Sequence, residues 1–341
     1  MNSAWRLFLE QQGARFDGDS VQHFGDPAAE SVATRDGSTI APLTQFGTLK
    51  VSGEDAQTFL QSLLSNDIRA VGAQQAQLSS FNTAKGRILA SFLIWQHDGD
   101  YFLQLARPLA APIQKKLSMY VLRSKVKVSD VSDEWVALGI TGAQLANEFG
   151  LPDGASATLA CDTARLIRSD ARRFQLVCPV DQASAWWQRL CAGNGKSRPV
   201  GTPCWDWLDI QAGIPVITPA TQEQFVPQMV NLEVIGGVNF KKGCYPGQEI
   251  VARMQYLGKA KRRMYLAHVG GDSAPRPGDT LFSASPEENA HGMVVNAAPA
   301  PAGGFDLLGV LPIASREHGD VRLGAADGAR LGFLALPYEL P

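Results

Sequence analysis

The sequence predicts an α+β protein of more than one domain, and three observations carry that prediction. Apolar residues recur at helical spacing in some stretches and alternate as in strands in others, with the two patterns interspersed. A length of 341 residues exceeds what a single hydrophobic core ordinarily serves. After Arg263 the chain turns to short strand-like runs parted by Gly- and Pro-rich turns, the pattern of a small β barrel or sandwich.

Residues 1–40 read as a short amphipathic start followed by a polar arm with Gly18, Gly25, Pro27 and Gly37. Phe46–Val51 alternates like a strand. Ser52 and Asp55 then open a helix in which Ala56, Phe59, Leu60, Leu63 and Leu64 form one apolar stripe, ending at Asn66-Asp67. The loop Asn82–Gly86 leads into strands Ile88–Trp95 and Asp100–Leu105, joined by His97-Asp98-Gly99. Pro108 can start a helix that places Leu109, Ile113, Leu117 and Val121 on one face, with Lys115 and Lys116 on its solvated side. Strands at Val136–Ile140, Ala164–Arg168 and Phe174–Cys178 and helices at Ala143–Phe149 and Gln182–Ala192 suit a small inserted α+β domain, closed by the link Gly193–Ser197. A helix Trp205–Ala212 stops at Gly213 and Pro215, and short strands at Met264–Val269, Thr280–Phe282, Gly292–Val295, Phe305–Val310 and Leu331–Ala335 complete the chain.

Composition narrows the function classes. A formal charge of −2 supplies no global field for nucleic acid or an anionic membrane. The N-terminal apolar stretch Ala4–Leu9 is far shorter than a signal core or a membrane span, which reads as a cytoplasmic protein without membrane partners. The five cysteines, Cys161, Cys178, Cys191, Cys204 and Cys244, include no C-x-x-C pair and read as reduced thiols. His23, His97, His268, His291 and His318 show no metal-ligand spacing.

The chemistry concentrates in Phe240-Lys-Lys-Gly-Cys-Tyr-Pro-Gly-Gln-Glu-Ile-Val-Ala-Arg253. Gly precedes Cys244, a Pro-Gly pair follows, and Gln248–Gln255 has helix-forming composition, so the thiol stands just before a helix. Two upstream lysines and the positive end of the helix dipole favour thiolate, the form that attacks electrophiles or ligates metal. A lone cysteine otherwise packs as a small buried hydrophobe; here the flanking Gly, Lys and Pro point to an accessible thiol. Glu249 and Arg253, one turn apart, orient the loop or a partner, or simply stabilise the helix. Lys242 and Gln248 belong to the same run without an individual role that sequence assigns.

This run closely resembles the K-x-G-C-Y-x-G-Q-E signature of YgfZ proteins and their mitochondrial iron–sulfur assembly relatives. The resemblance extends through Phe225–Gln228, Asn231-Leu232, Gly236-Gly237, Ala212–Pro215 and Gly53–Gln61 with Asn66-Asp67, covering about residues 42–340. It implies a three-domain aminomethyltransferase-like (T-protein-like) α+β fold around a central tetrahydrofolate channel, with a C-terminal β barrel. On that plan residues 1–40 form the arm, 41–126 with 200–262 a folate-binding-like domain, 127–199 an inserted ferredoxin-like domain, and 263–341 the barrel.

The resemblance further implies an accessory protein that supports assembly or repair of iron–sulfur clusters in client enzymes, tRNA-thiolating ones included, through Cys244, Lys242, Gln248, Glu249 and Arg253. Tetrahydrofolate or a derivative is the implied cofactor. Its ring-lining positions map to Phe46 and Trp205, and the pterin carboxylate position to Gln211, where an amide offers one acceptor and one mismatched donor. Trp205 reads equally as core. The aspartate of the methylene-transferring enzymes is replaced by Ala90 and Ser91, which disfavours the alternative, a folate-dependent one-carbon transferase or demethylase. The basic stretch with Lys259, Lys261, Arg262 and Arg263 beside Tyr256 reads first as a solvated linker and second as a direct tRNA contact.

Overall fold

In the computed structural model, residues 1–142, 148–192, 197–258, 260–283 and 291–341 are described. The expected helix Ala143–Phe149 and link Gly193–Ser197 fall largely outside them, as does Lys259. The chain divides into two compact units, one of Met1–Phe59, Arg69–Gln77 and Leu93–Trp205, the other of Leu60–Ile68, Leu78–Phe92 and Asp206–Pro341.

The first unit is built on a six-stranded sheet in the order Thr158–Cys161, Ala164–Arg168, Arg173–Pro179, Trp135–Thr141, Thr39–Pro42 and Arg198–Pro199. Helices Ser3–Gln11 and Ala183–Ala192 pack with it through Trp5, Leu9, Ile40, Ile140, Phe174, Leu176 and Trp187. Residues 1–40, expected as a polar arm, are therefore folded. Trp5 and Leu9 lie one helical turn apart and both are buried. Asp26 caps helix Pro27–Asp36 by accepting from Ala29 N at 3.0 Å, and Pro27 occupies a first-turn position that needs no N–H. The carboxylate of Glu30 is buried and accepts from the main-chain N–H groups of Phe24 (2.7 Å) and Gly201 (2.9 Å), fastening this segment to residues far along the chain.

In the same unit Leu93–His97 pairs with Asp100–Ala106, which pairs with Phe46–Ser52, which pairs with Lys127–Asp130. The tight connection is the one expected: Asp98 and Gly99 both take positive φ, as a right-twisting two-residue hairpin requires. Helix Ala110–Ser118 buries Ile113 and Leu117 and leaves Lys115 and Lys116 outside its apolar face.

The second unit carries a curled antiparallel half-barrel in the order Val321–Leu323, Thr280–Ser283, Gly292–Pro299, Phe305–Pro312, Arg262–Val269 and Gly332–Leu334. Ala267, Val269, Leu281, Val294, Leu307, Leu311 and Val321 fill its interior. The apolar stripe predicted for the early helix, observed as Ala56–Leu63, is buried throughout. Among the described residues, no helix is long and apolar enough to cross a membrane.

Candidate functional site

The segment bearing Cys244 is a coil that ends at helix Gln248–Tyr256, all within the second unit. Cys244 is exposed, whereas Cys178 and Cys204 are buried and Cys161 and Cys191 are partly so. Burial pushes the Cys178 thiol up to about 12 and the Cys191 thiol up to about 11, and raises that of Cys161.

Three attachments hold the loop. The first is Lys242, only 5% exposed, whose ammonium donates to the main-chain carbonyls of Gln61 (2.6 Å), Leu64 and Asn66 (3.2 Å). Gln61 is in the last turn of helix Ala56–Leu63 and Leu64 and Asn66 follow it, so a lysine from a distant segment supplies the cation that the negative end of a helix attracts. The same ammonium lies 5.1 Å from the centre of the Tyr245 ring, whose phenol burial pushes up to about 12. One of the two lysine charges expected to act on the thiol is thus spent on anchoring the fold.

The second attachment is a crossing of two glycines. Gly247 takes φ 79°, and a Cβ there would lie 2.5 Å from both Gly86 Cα and Thr83 O. Gly86 takes φ 71° and faces Ile250 and the Gly247 carbonyl in return. Glycine is required on both sides, for conformation and for closeness. The third attachment lies upstream, where Ser65 Oγ donates to Gly237 O and Asn66 Nδ2 to Gly236 O, each at 2.8 Å. Gln228 secures the helix beyond, its Nε2 donating to Val251 O at 2.7 Å.

Of the remaining motif residues, Gln248 is half-buried. Gln248 Nε2 reaches the Lys242 carbonyl at 3.5 Å, a marginal bond. Glu249 and Arg253 are exposed on the helix. Ser65, Gly86 and Gln228 position the loop without having been singled out for that role. Gln228 and Asn66 stand in stretches that carry the resemblance, but nothing local marks Gly86 as the partner of Gly247.

The residues mapped to a folate do not form one cluster within either unit. Phe46 is half-buried and lines a cavity of about 30 Å³ in the first unit with Trp5, Thr48, Gln104, Arg107 and Trp135. Trp205 is 1% exposed; Gly139 lies against its ring and the Arg173 guanidinium stands 5.7 Å from the ring centre. Its buried indole N–H meets no acceptor among the described residues. Gln211, on the same helix Thr202–Gln211, donates from Nε2 to Asp306 Oδ2 at 2.8 Å, and Trp207 Nε1 donates to the same oxygen at 2.8 Å. Asp306 Oδ1 meets His268 Nδ1 at 2.8 Å. A carboxylate oxygen can only accept, so the Gln211 amide must turn its NH₂ to Asp306.

At the position of the transferase aspartate, Ala90 is fully buried. The Ser91 hydroxyl donates to Pro215 O (3.3 Å) and accepts from Ile217 N (3.1 Å). Both sides of that hydroxyl serve the main chain.

Comparison with known proteins agrees with this architecture. Residues 11–148 match the profile of the GCVT N-terminal domain. The solved aminomethyltransferase T of the glycine cleavage system from Bartonella henselae superposes with a TM-score of 0.78, at 19% identity over 99% of this chain and 97% of that one. The chain therefore has the fold of the glycine-cleavage aminomethyltransferases. It is 31% identical to the tRNA-modifying protein YgfZ of Cronobacter sakazakii, over 92% of this chain and 97% of that protein. The protein of the same name from Klebsiella pneumoniae is 30% identical over 92% and 97%, and that from Edwardsiella ictaluri 33% over 88% and 92%. The chain belongs to the YgfZ family.

Proposed function

We propose that this protein is an accessory factor for iron–sulfur enzymes, in which Cys244 engages the cluster or a client thiol during assembly or repair. The observation that carries the reading is the contrast between an exposed thiol and the rigidity of its support. Lys242 and the Gly247–Gly86 crossing hold Cys244 outward on a loop that does not need the cysteine for its own packing. As a ligand to cluster iron, Cys244 gives up its proton to solvent and binds through sulfur, with the cluster as cargo rather than resident group.

The relatives' name, tRNA-modifying protein, fits the same reading. Enzymes that thiolate tRNA carry iron–sulfur clusters, so a factor that maintains clusters changes tRNA modification without touching RNA. A folate-like ligand belongs to the proposal as a recognition element. Within the first unit, Phe46 offers a partly open aromatic face of the kind on which a pterin ring stacks. No step of the thiol chemistry runs through such a ligand. The alternative, a one-carbon transferase, lacks support where Ala90 and Ser91 replace the carboxylate.

The test is replacement. Cys244→Ala, expressed in cells lacking the native protein, is expected to leave cluster-enzyme activity and tRNA thiolation at the level of the empty cells, while the purified variant keeps the wild-type melting temperature. Full restoration by Cys244→Ala would overturn the reading.

A further inference from the structure

We infer that the exposed side of helix Gln248–Tyr256 and the residue after it form a docking ridge for an acidic protein surface that carries apolar side chains. The inference rests on the reading of Cys244 given above and names the chemistry of the partner that meets it. Ile250 is 39% exposed, Tyr256 67% and Leu257 85%, three large apolar side chains within eight consecutive residues. Scattered apolar residues on a surface need no explanation, but a group on one element marks an interaction face. Phe240, four residues before the thiol, extends the ridge by meeting Tyr256 edge-on at 6.1 Å between ring centres.

The charges around the ridge choose the partner. Lys85 is exposed next to Gly86, whose α-carbon faces Ile250. Lys241 is exposed next to Phe240. Arg253 stands three residues from both Ile250 and Tyr256 and four from Leu257, neighbours on a helix surface, and is exposed. Against these three cations the helix sets one carboxylate, Glu249. Complementarity then asks for a partner with excess carboxylates around an apolar centre.

The same basic and aromatic composition could suit RNA, but the ridge is the wrong kind. Bases stack on aromatic faces; Ile250 and Leu257 have none, so of these three exposed apolar side chains Tyr256 alone offers a ring. Aliphatic side chains at the centre of a charged rim are the anatomy of a protein interface. The Gly247–Gly86 crossing fixes the start of this helix three residues after Cys244, so the ridge belongs to the element that directly follows the thiol.

The experiment compares, in cells lacking the native protein, the wild type, Cys244→Ala, the double variant Tyr256→Ser/Leu257→Ser, and the charge variant Lys241→Glu/Arg253→Glu. The readouts are iron–sulfur enzyme activity and tRNA thiolation. The purified double variant is first checked for an unchanged melting temperature and an unchanged rate of Cys244 alkylation by iodoacetamide. The expected result is that it falls to the Cys244→Ala level although its thiol is intact, and that the charge variant falls with it. Full function in the double variant while Cys244→Ala fails would overturn the ridge and leave the thiol reading standing; full function in Cys244→Ala would sink both. If the double variant proves unstable, Leu257→Gln alone carries the test, since that side chain is the most exposed. Filter binding of purified tRNA provides the rival outcome: tRNA binding that the double variant abolishes would overturn a protein partner in favour of RNA.

Discussion

Replacing Lys242 by Met keeps the length of the side chain and removes the charge that ties the Cys244 loop to the end of helix Ala56–Leu63. Three buried carbonyls, those of Gln61, Leu64 and Asn66, then lose their shared donor. Each acceptor left unsatisfied costs about 1–3 kcal/mol, and the lost helix-end interaction adds about 0.3–1 kcal/mol. Against this, a methionine avoids the penalty of burying an ammonium, several kcal/mol for an ion in an apolar site. Relaxation of the exposed loop also lets water reach part of the gap. A net loss of about 3 kcal/mol follows, equivalent to a fall in melting temperature of about 6–12 °C at about 2–4 °C per kcal/mol for a body of this size. Thermal unfolding followed by near-ultraviolet circular dichroism measures it, with Lys241→Met, at an exposed neighbouring position, expected to stay within about 0.5 kcal/mol of wild type. Cys244 alkylation should become faster in Lys242→Met as the loop loosens. A Lys242→Met protein that melts within about 1 °C of wild type would refute the anchoring argument, because three desolvated carbonyls cannot be abandoned at no cost.

Gly247→Ala is expected to lose about 2–4 kcal/mol in urea unfolding, since the new Cβ meets Gly86 Cα and Thr83 O at 2.5 Å in a left-handed backbone; wild-type stability would mean that the crossing does not exist in solution. Thiol labelling should be selective: with Cys178 pushed up to about 12 and Cys191 up to about 11, both stay protonated at pH 8, and brief iodoacetamide treatment of native protein should modify Cys244 well before the others, as peptide mass mapping will show. The same raised values set a stability slope. The folded chain keeps protons that the unfolded thiols release from about pH 8.5 upward, so this contribution is complete below that pH and is lost as pH rises toward 11–12, by up to about 1.4 kcal/mol per pH unit for each thiol. Cys178→Ala should flatten the slope in denaturant unfolding between pH 9 and 11, and an unchanged slope would contradict the burial of that thiol.

Much of the local structure was legible because it is written in neighbouring residues. The stripe from Ala56 to Leu64 is one face of one helix, and the Asp98-Gly99 turn needs only two residues that tolerate positive φ. The folding of residues 1–40 was not legible. Its polar stretch reads as an arm until Glu30 is seen to find Gly201, and Trp5 and Leu9 to find a sheet most of whose strands lie more than a hundred positions away. Trp205 shows the same limit: helical spacing allows a ligand or a core side chain, and only its surroundings leave it buried with an orphaned N–H.

The sequence by itself determined the α+β class, the all-β character of the C-terminal strands, the family, and Cys244 as the residue to watch, because periodicity and a contiguous signature survive in one dimension. Tertiary structure decided what holds Cys244 outward. Lys242 spends its charge on the carbonyls at the end of a remote helix, Gly247 is glycine because Gly86 lies against it, and Gln211 turns its amide toward Asp306. Each is a pairing between groups that chain order keeps far apart, and hydrogen bonds and steric closeness act only over a few ångströms of space.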